Sequence, residues 1–432
     1  WVKLMYAEDT DPSAVIEAYD AYFSTHSDQK NSHTQYYKRW VRSFSRQLSF
    51  SSSSKSDQDY LERSKNLREQ KDADSEWICI GPYDFDKEAA SRSYAPGSAH
   101  VYTVERSLSN PNIMYAGTAT AGLWKSTNAG ANWSLMTKDL VLNRIFALEI
   151  DHANPDIVYF ESNGDLFKTI DGGLTWSEIG DASFQSEDHN VKDIVMHPSI
   201  SSELYLSSNK GFFKSIDGGV NWTEIMDGEF QEIEINPSNA SMLYTIKVVD
   251  NHTEFYKSTD GGNSFTIQTS GWPNPTGPND HQERVEIAVT PANPSLIYAN
   301  ATGSANGGSG TYGIYLSEDE GSTWTFQCCG GQPAGPPSLT NINMMGWDKE
   351  GEDDGGQYYY DVGLAVDPVN PDKLHLGGVN HWVSNDAGAT WVCPAKWSEP
   401  AEPGYVHADI HDIRFFDNEL WIACDGGIFM ST

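Results

Sequence analysis

Two histidines and an aspartate alternate over five residues near the end of the 432-residue chain. On a strand, His407, Asp409 and His411 would share one face, with alternate side chains about 6–7 Å apart. Two imidazoles and a carboxylate suit zinc or another transition metal, and a His–Asp pair also suits acid–base chemistry. A straight strand spreads the three groups too widely for one ion unless the chain bends. A hydrogen-bonded polar cluster is therefore the third interpretation.

An acidic loop supplies a second candidate metal site. Asp348, Glu350 and Asp353 lie within the glycine-containing stretch 348–356. Carboxylate oxygens are ligands that calcium prefers, but the spacing is not that of an EF-hand, and a solvated acidic loop is the alternative. The sequence therefore requires no cofactor, while calcium and a transition metal are the two that these residues would suit.

Other polar and aromatic residues are candidates for catalysis or for binding a ligand. Paired carboxylates suit glycoside hydrolysis, and exposed aromatic rings would suit stacking on a sugar, although packing explains such rings equally well. The catalytic candidates are Asp361, Asp409, His407 and His411. The ligand-binding candidates are Arg284, Glu286, Tyr360 and Trp347.

A repeated eight-residue motif indicates the elements that must position these residues. The motif, S/T-x-D-x-G-x-x-W and here called the box, has Phe in place of Trp in one copy and Asn128 in place of the Asp in another. Its copies begin at residues 126, 169, 215, 258, 317 and 384, and a seventh begins at 431. Four short strands in each unit of about 40–50 residues are typical of a β-propeller blade. We therefore predict an all-β propeller of seven four-stranded blades over residues 73–432, after a small α-helical segment and linker over 1–72.

The box has a structural interpretation. Its aspartate accepts backbone N–H groups within a turn, its glycine adopts a backbone shape that a side chain would penalise, and its aromatic ring packs against the hairpin. One carboxylate in each turn is too few for calcium. The five aspartates expected to act in this way are Asp171, Asp217, Asp260, Asp319 and Asp386.

The ends of the chain and its cysteines leave alternatives open. A helix is expected to begin at Asp11-Pro12, and a second amphipathic helix is expected over about 34–50. The strand 77–80 would close the ring as the missing strand of the seventh blade; alternatively, the chain is truncated at Thr432. Cys329 would reach Cys393 in a disulfide between neighbouring blades, or the thiols are unpaired.

Six near-complete boxes make the chain resemble the BNR or Asp-box repeat of sialidases, sortilin-type receptors, tandem-propeller xyloglucanases and photosystem assembly factors. More narrowly, it is similar to the propellers of large secreted Bacteroidota proteins that carry a C-terminal sorting domain for type IX secretion. The residues that carry this narrower resemblance are Lys30-Asn31-Ser32, Tyr36–Trp40, Trp77, Gly81-Pro82, Gly122–Ser126, His407-x-Asp409-x-His411 and Asp425-Gly426-Gly427. The resemblance implies an extracellular or cell-surface location and further domains of the same polypeptide.

A sialidase-like site needs three arginines for the substrate carboxylate, a Tyr–Glu pair and an acidic aspartate. Residues 73–432 contain five arginines in all and no F/Y-R-I-P motif. A xyloglucanase-like site needs two opposed carboxylates in a cleft between two propellers, and we expect one propeller. The residues therefore argue against a sialidase, and a single propeller does not supply the cleft between two propellers that a xyloglucanase-like site needs.

The charge of the chain excludes some partners. Residues 73–432 hold 17 Lys and Arg against 50 Asp and Glu, which accounts for the whole formal net charge of −33. Such a surface repels nucleic acid and anionic lipid, and no stretch of 18 apolar residues predicts insertion into a membrane. We expect a secreted recognition or adhesion module that binds a glycan or a protein. A carbohydrate-active hydrolase or lyase is the alternative, and a scaffold of a surface assembly is the third.

Overall fold

The structure is a computed structural model that describes residues 1–5, 12–25, 37, 100–140, 142, 144–180, 189–275, 277–329, 335–338, 340–400 and 402–431. The chain divides into two compact units, residues 1–83 and 84–432, and each unit is described by itself. In the described part of the first unit, the helices of more than one residue are α1 (Val2–Met5) and α2 (Pro12–Phe23). Because Pro has no N–H to donate, it is well suited to the first turn, and α2 begins at Pro12 as predicted.

Aromatic packing holds the described part of the first unit together. Val15 and Tyr19 are buried, and the ring of Tyr19 stacks on that of Tyr37 with centroids 3.5 Å apart. Trp1 meets Tyr19 edge-on at 4.9 Å. Tyr37 is helical, but the rest of the helix predicted over 34–50 lies outside the described residues, as does the linker to residue 72.

The second unit contains seven antiparallel sheets. Sheet one consists of β1 (Val101–Arg106), β2 (Met114–Thr118), β3 (Leu123–Ser126) and β4 (Ser134–Leu135). Sheet two consists of β5 (Leu148–Ile150), β6 (Val158–Ser162), β7 (Asp165–Thr169) and β8 (Ser177–Ile179). Sheet three consists of β9 (Val191–Met196), β10 (Leu204–Ser208), β11 (Gly211–Ser215) and β12 (Thr223–Asp227).

The remaining sheets continue the same order. Sheet four consists of β13 (Glu229–Ile235), β14 (Leu243–Val249), β15 (His252–Ser258) and β16 (Thr266–Gln268). Sheet five consists of β17 (His281–Val289), β18 (Ile297–Ala305), β19 (Gly308–Ser317) and β20 (Thr325–Cys328). Sheet six consists of β21 (Gly363–Val366), β22 (Leu374–Gly377) and β23 (His381–Ser384), and sheet seven of β24 (Ile410–Phe416), β25 (Glu419–Cys424) and β26 (Gly427–Ser431).

The first strands of the seven sheets form a closed ring. Each of β1, β5, β9, β13, β17, β21 and β24 contacts the first strand of the next sheet, and β24 contacts β1. The predicted seven-bladed, all-β propeller is therefore confirmed.

Five sheets have four strands, whereas sheets six and seven have three strands among the described residues. In sheet six, Val392 pairs with Val383 in an isolated bridge at the place of a fourth strand. The strand proposed over 77–80 lies outside the described residues and stays a prediction, as does truncation at Thr432.

Carboxylates on the inner strands join neighbouring sheets near the axis of the ring. Asp193 on β9 accepts the N–H of Ile233 on β13 at 3.2 Å. In the same way, the N–H of Ile287 donates to Glu232 Oε2 at 2.8 Å, and the N–H of Val104 donates to Asp412 Oδ2 at 3.1 Å. These bonds satisfy inner-strand N–H groups that face another sheet, which explains why buried strands carry acidic residues.

Lysines on the third strands join neighbouring sheets at the outer rim. Each donates to the carbonyl of a glycine in the box of the following sheet: Lys125 to Gly172 at 2.9 Å, Lys168 to Gly218 at 2.9 Å and Lys214 to Gly261 at 2.6 Å. The same ammonium groups lie about 5–6 Å from the ring centroids of second-strand tyrosines, within cation–π range. The box thus binds its own hairpin and also the preceding sheet.

The box at Ser215–Trp222 illustrates the turn. Asp217 Oδ1 accepts the hydroxyl of Ser215 at 2.9 Å and the N–H groups of Val220 and Asn221 at 3.0 and 2.9 Å. Gly219 has φ of 84°, which favours glycine, and its carbonyl accepts the indole N–H of Trp222. In the first box Asn128 Oδ1 accepts equivalent bonds, from the Ser126 hydroxyl and the Asn132 N–H. The acceptor oxygen, and not the charge, is what the turn needs.

The predicted disulfide between Cys329 and Cys393 is wrong. Cys328 and Cys329, which end sheet five, are joined to each other. The thiol of Cys393 instead donates to the carbonyl of Ala395 at 3.2 Å, within its own loop. Among the described cysteines, Cys393 and Cys424 are unpaired, so the alternative interpretation holds for Cys393 but not for Cys329.

We expect Asp217→Ala to lower the free energy of unfolding by about 1 kcal/mol, because the turn loses, at an exposed site, three hydrogen bonds to Oδ1 and one from the Asn221 side chain to Oδ2. Asp217→Asn retains the acceptor oxygen and should cost less than half as much. Urea denaturation of the full chain measures both values. Equal losses in the two variants would contradict the acceptor role.

Candidate functional site

A cavity of about 510 Å³ lies where the connections before β1, β21 and β24 meet the turns of sheets six and seven. We call it the long-loop cavity. Its described lining residues are His100, Trp347, Gln357, Val379, Trp397, His407, Ala408, Asp409 and Asp425. Its volume is within the range of about 300–1,000 Å³ that is usual for small-ligand sites. Because the connections that line it include the longest insertions, the long-loop cavity lies on the face of the ring that carries them.

Two tryptophans in the lining are held by one buried asparagine. Asn380, which is 1% exposed, accepts the backbone N–H of Trp397 at 2.7 Å and donates from Nδ2 to the carbonyl of Gly346 at 3.3 Å. The next residue, Trp347, is 42% exposed, and its own N–H donates to Asp353 at 2.7 Å. Both backbone segments are thus fixed, while the ring of Trp347 remains available to solvent.

Asp409 lies just before β24 and not on the strand that we predicted for it. Its φ of 61° is in the left-handed region, so the chain turns there and only His411 of the predicted set lies on β24. Asp409 Oδ1 accepts the side-chain N–H of Gln357 at 2.8 Å. Its Oδ2 accepts no hydrogen bond from the residues that the structure describes. Burial, and next the charge of Asp425, raise the pKa of Asp409 to about 6.

Asp425 is the second carboxylate of the long-loop cavity and lies in the turn between β25 and β26. Its Oδ1 accepts the Nε2–H of His411 at 2.8 Å and the hydroxyl of Tyr360 at 3.4 Å. Its Oδ2 has the Nδ1 atom of His100 at 3.5 Å. Burial lowers the pKa of His411, so that its imidazole donates to Asp425 in the neutral form.

Arg284 and Glu286, two of the predicted ligand-binding residues, contact each other and the backbone. Arg284 Nε donates to Glu286 at 2.7 Å. Its Nη1 and Nη2 atoms donate to the carbonyls of Tyr360 and Val362, each at 3.2 Å. Neither side chain lines the long-loop cavity. Arg284 therefore positions the segment that carries Tyr360, and through Tyr360 it supports Asp425.

Asp361, a predicted catalytic carboxylate, is buried and lies between Tyr360 and Val362, the two residues whose carbonyls bind Arg284. It is 1% exposed, and neither of its oxygens has a hydrogen-bond partner among the described residues. Burial, and next the charge of Asp409, raise the pKa of Asp361 to about 9. The group therefore carries a proton at neutral pH, and it does not line the long-loop cavity.

Neither predicted metal set is assembled. In the described part of the chain, no three His, Cys, Asp or Glu side chains are grouped so that they could hold a metal ion. His411 bonds to Asp425 and Asp409 to Gln357, while His407 packs beneath Gly426, where an added Cβ would lie 2.3 Å from its ring. The strand geometry that we expected for His407, Asp409 and His411 fails because the chain turns at Asp409.

The carboxylates of the acidic loop bind the loop's own backbone. Asp353 accepts the N–H groups of Trp347 and Asp348, at 2.7 and 3.3 Å. Asp348 Oδ2 accepts the N–H of Glu352 at 3.3 Å. This loop therefore orients Trp347, and the solvated-loop alternative describes it better than a calcium site with Glu350 would.

A second cavity, of about 550 Å³, follows the inner strands from His411 to the far end of the ring, and we call it the axial cavity. Its acidic lining residues are Glu105, Glu149, Asp193, Glu232, Glu234, Glu286, Asp412 and Asp417. Arg414 pairs with Glu105 and, at 3.0 Å, with Asp412. Burial is the main cause that raises the pKa of Glu105 to about 7, of Asp193 to about 6 and of Glu234 to about 8. Arg284 pairs with Glu286 and Arg106 with Asp417, so three guanidinium groups compensate only part of the negative charge of the eight carboxylates.

The lining of the long-loop cavity includes six residues that were not among the predicted site residues: His100, Gln357, Val379, Trp397, Ala408 and Asp425. Asp425 was visible in the motif Asp425-Gly426-Gly427, and Trp397 was visible as an aromatic residue in the connection after the sixth box. No spacing rule relates Gln357 to Asp409, because they are 52 positions apart and the whole of sheet six lies between them. Trp272, another tryptophan of the long connections, is buried against Trp324 and Phe255 and does not line the long-loop cavity.

No protein-family model matches the chain, and no curated protein matches its sequence. Solved structures resemble it in fold. The GH74 enzyme of Niastella koreensis is 18% identical, with a TM-score of 0.53 over 78% of this chain and 52% of that one. YCF48 bound to a D1 peptide is 16% identical, with a TM-score of 0.51 over 78% and 93%. The extracellular domain of a protein described as a hybrid two-component system, from B. thetaiotaomicron, is 12% identical, with a TM-score of 0.53 over 82% and 39%.

These similarities establish a β-propeller fold and no activity, because the identities are low. The chain spans about half the length of the GH74 enzyme. Among the helices that the structure describes, none is long and apolar enough to cross a membrane.

The buried charge of the axial cavity predicts how stability depends on pH. Folded Glu234 retains a proton up to about pH 8, whereas the unfolded chain releases it near the ordinary value of 4.5. The contribution of this group to stability therefore falls as pH rises between those values. Glu234→Gln removes this titration. We therefore expect the difference in free energy of unfolding between the variant and wild type to be larger at pH 8 than at pH 5, in favour of the variant, by more than about 1 kcal/mol.

Denaturation of both proteins at the two pH values measures this difference. The matched control is Glu224→Gln, which changes an exposed glutamate on β12 and should leave the pH dependence unchanged. Parallel curves for wild type and Glu234→Gln would contradict the prediction.

Proposed function

We propose that the chain is a secreted or cell-surface recognition protein whose long-loop cavity binds a glycan. The observation that carries this proposal is the pairing of two tryptophans with carboxylate and amide groups in one cavity of about 510 Å³. A sugar ring has an apolar face that stacks on an aromatic ring and hydroxyl groups that bond to polar side chains. Asp409, Asp425 and Gln357 supply such polar groups beside Trp347 and Trp397.

The rigidity of the lining supports binding. Asn380 fixes both tryptophan segments, and His411 and Tyr360 orient Asp425. A ligand therefore meets groups that are already in place and loses little affinity to ordering them. A protein ligand, the other partner that we expected, would reach the same cavity only with a protruding side chain or loop.

Location and family are further parts of the proposal. The fold similarity to an extracellular domain and the strongly acidic composition support an extracellular or cell-surface location. The six boxes support membership of the BNR or Asp-box repeat proteins, within the secreted Bacteroidota group described above. The chain covers only 52% of the GH74 enzyme, which agrees with the expectation that the same polypeptide contains further domains.

We expect Trp347→Ala to weaken glycan binding by about tenfold or more, because an exposed tryptophan at the centre of a site contributes heavily to affinity. The control is Tyr359→Ala, which removes an aromatic residue that is more exposed, 67% against 42% for Trp347, from the same insertion but outside the cavity lining. A glycan array followed by isothermal titration of its hits measures both. If neither variant changes binding, or no glycan binds at all, the chain is better explained as a scaffold.

Glycoside hydrolysis is the second candidate function. Asp409 and Asp425 line one cavity, and the pKa of about 6 gives Asp409 the proton that a general acid needs near neutral pH. Asp425, whose Oδ1 is held by His411 and Tyr360, would act as the base or nucleophile through Oδ2. This pair replaces Asp361, which is buried away from the cavity. The fold similarity to a GH74 enzyme agrees with this candidate.

We expect hydrolysis, if the chain performs it, to fall by at least about a hundredfold in both Asp409→Asn and Asp425→Asn, since each variant removes a proton-transferring group. Release of reducing ends from a panel of polysaccharides measures the rate. Binding by wild type without any release of reducing ends would leave recognition as the function and exclude hydrolysis of those substrates.

A further inference from the structure

We propose that the glycan bound in the long-loop cavity carries a free amino group, as in an unacetylated hexosamine. This inference rests on the proposed glycan-binding function and adds the chemical class of the ligand. It follows from the charges of the lining and from the carboxylate oxygens that the protein leaves available.

The described lining contains two carboxylates and no lysine or arginine. Its other polar side chains are Gln357, His100 and His407. Arg284 lies behind Tyr360 and is paired with Glu286, so its charge is already balanced by a carboxylate. A positive group that enters the cavity therefore meets two carboxylates and no fixed positive charge.

Each carboxylate uses one oxygen to maintain its position and leaves the other available. Asp409 Oδ1 is occupied by Gln357, while Oδ2 accepts nothing from the described residues. Asp425 Oδ1 is occupied by His411 and Tyr360, while Oδ2 has His100 as its neighbour at 3.5 Å. An ammonium group has three N–H donors, which matches two available anionic oxygens and leaves one donor for water or a carbonyl.

His100 does not compensate the two carboxylates permanently. Its side chain is 53% exposed, and 3.5 Å from Oδ2 is a long contact for a hydrogen bond. An exposed side chain can turn towards solvent when a ligand arrives. An ammonium would then replace a weak neighbour of Asp425 with a charge-assisted hydrogen bond, which is about twice as strong as a neutral one.

The same lining discriminates against acidic sugars. A uronate or another carboxylated sugar would bring a third negative charge beside Asp409 and Asp425, and the described lining residues include no lysine or arginine to pair with it. An N-acetylated amine has lost its positive charge and has one N–H left. A neutral glucose unit offers hydroxyl donors without charge, so it should bind more weakly than the free amine.

Isothermal titration at pH 7 and low salt tests the inference with four probes of equal length. These are the disaccharides of glucosamine, N-acetylglucosamine, glucose and galacturonate. We expect the glucosamine disaccharide to bind at least about tenfold more tightly than the glucose and N-acetylglucosamine disaccharides, and the galacturonate disaccharide not to bind. Asp409→Asn should reduce the preference for the free amine to less than about threefold.

Glu224→Gln is the control for the general negative charge of the protein. It makes the same chemical change on exposed strand β12 and should leave the preference unchanged. A preference that falls equally in Glu224→Gln and Asp409→Asn would overturn the inference, because it would then arise from the whole surface. If Asp409→Asn does not fold, as judged by circular dichroism, the comparison of the four probes on wild type still decides.

The possible failures are distinguishable. Equal binding of the amine, acetylated and neutral probes, with Trp347→Ala weakening all three, would overturn the amino-sugar inference and leave the proposed function standing. No binding of any glycan, including longer ones on an array, would overturn both.

Discussion

Hydrogen bonds between neighbouring first strands are the constraint on which this propeller depends. Near the axis, Asp193, Glu232 and Asp412 each accept an N–H from the first strand of another sheet. At the rim, third-strand lysines donate to box carbonyls of the next sheet. A sheet is thus held to its neighbour at both its inner and its outer edge. The acidic interior follows from the first set of bonds, because an N–H that faces another sheet needs an acceptor and a carboxylate reaches it.

The candidate site uses the rigidity of this ring. His411 lies on the inner strand β24 and donates to Asp425. Arg284, on β17, donates to the carbonyls of Tyr360 and Val362, which flank Asp361. The inner strands therefore fix the positions of Asp425 and Tyr360 from below. Asn380, in the turn after β22, fixes the segments of Trp347 and Trp397 from the side. The three long connections that line the cavity are thus hydrogen-bonded to strands and turns of the ring, which are themselves held to one another.

Much of the fold could be predicted from the sequence because the box is a local device. Its aspartate, glycine and aromatic residue interact within eight residues, so their spacing predicts the hairpin, and the number of boxes predicts seven blades. The lysine before the box was visible too, but its acceptor lies about 50 residues away, and no local pattern relates the two. The adjacent Cys328 and Cys329 similarly suggested a partner on another blade, whereas they are joined to each other.

The site was predicted less completely, for a physical reason. His407 and Asp409 line the long-loop cavity and His411 bonds to Asp425, but the strand expected through all three is interrupted by the left-handed conformation of Asp409. An aspartate in that conformation has no distinctive sequence signal. Asp409 meets Gln357 and Asp425 only because the ring returns the chain to the same face.

Electron density of the protein with a glucosamine disaccharide tests the central claim most directly. We expect a sugar ring stacked on Trp347 or Trp397, with the amino nitrogen of the sugar within hydrogen-bonding distance of Asp409 Oδ2. Density for the ligand only in the axial cavity beside Arg414, or none in the long-loop cavity at saturating concentration, would contradict it.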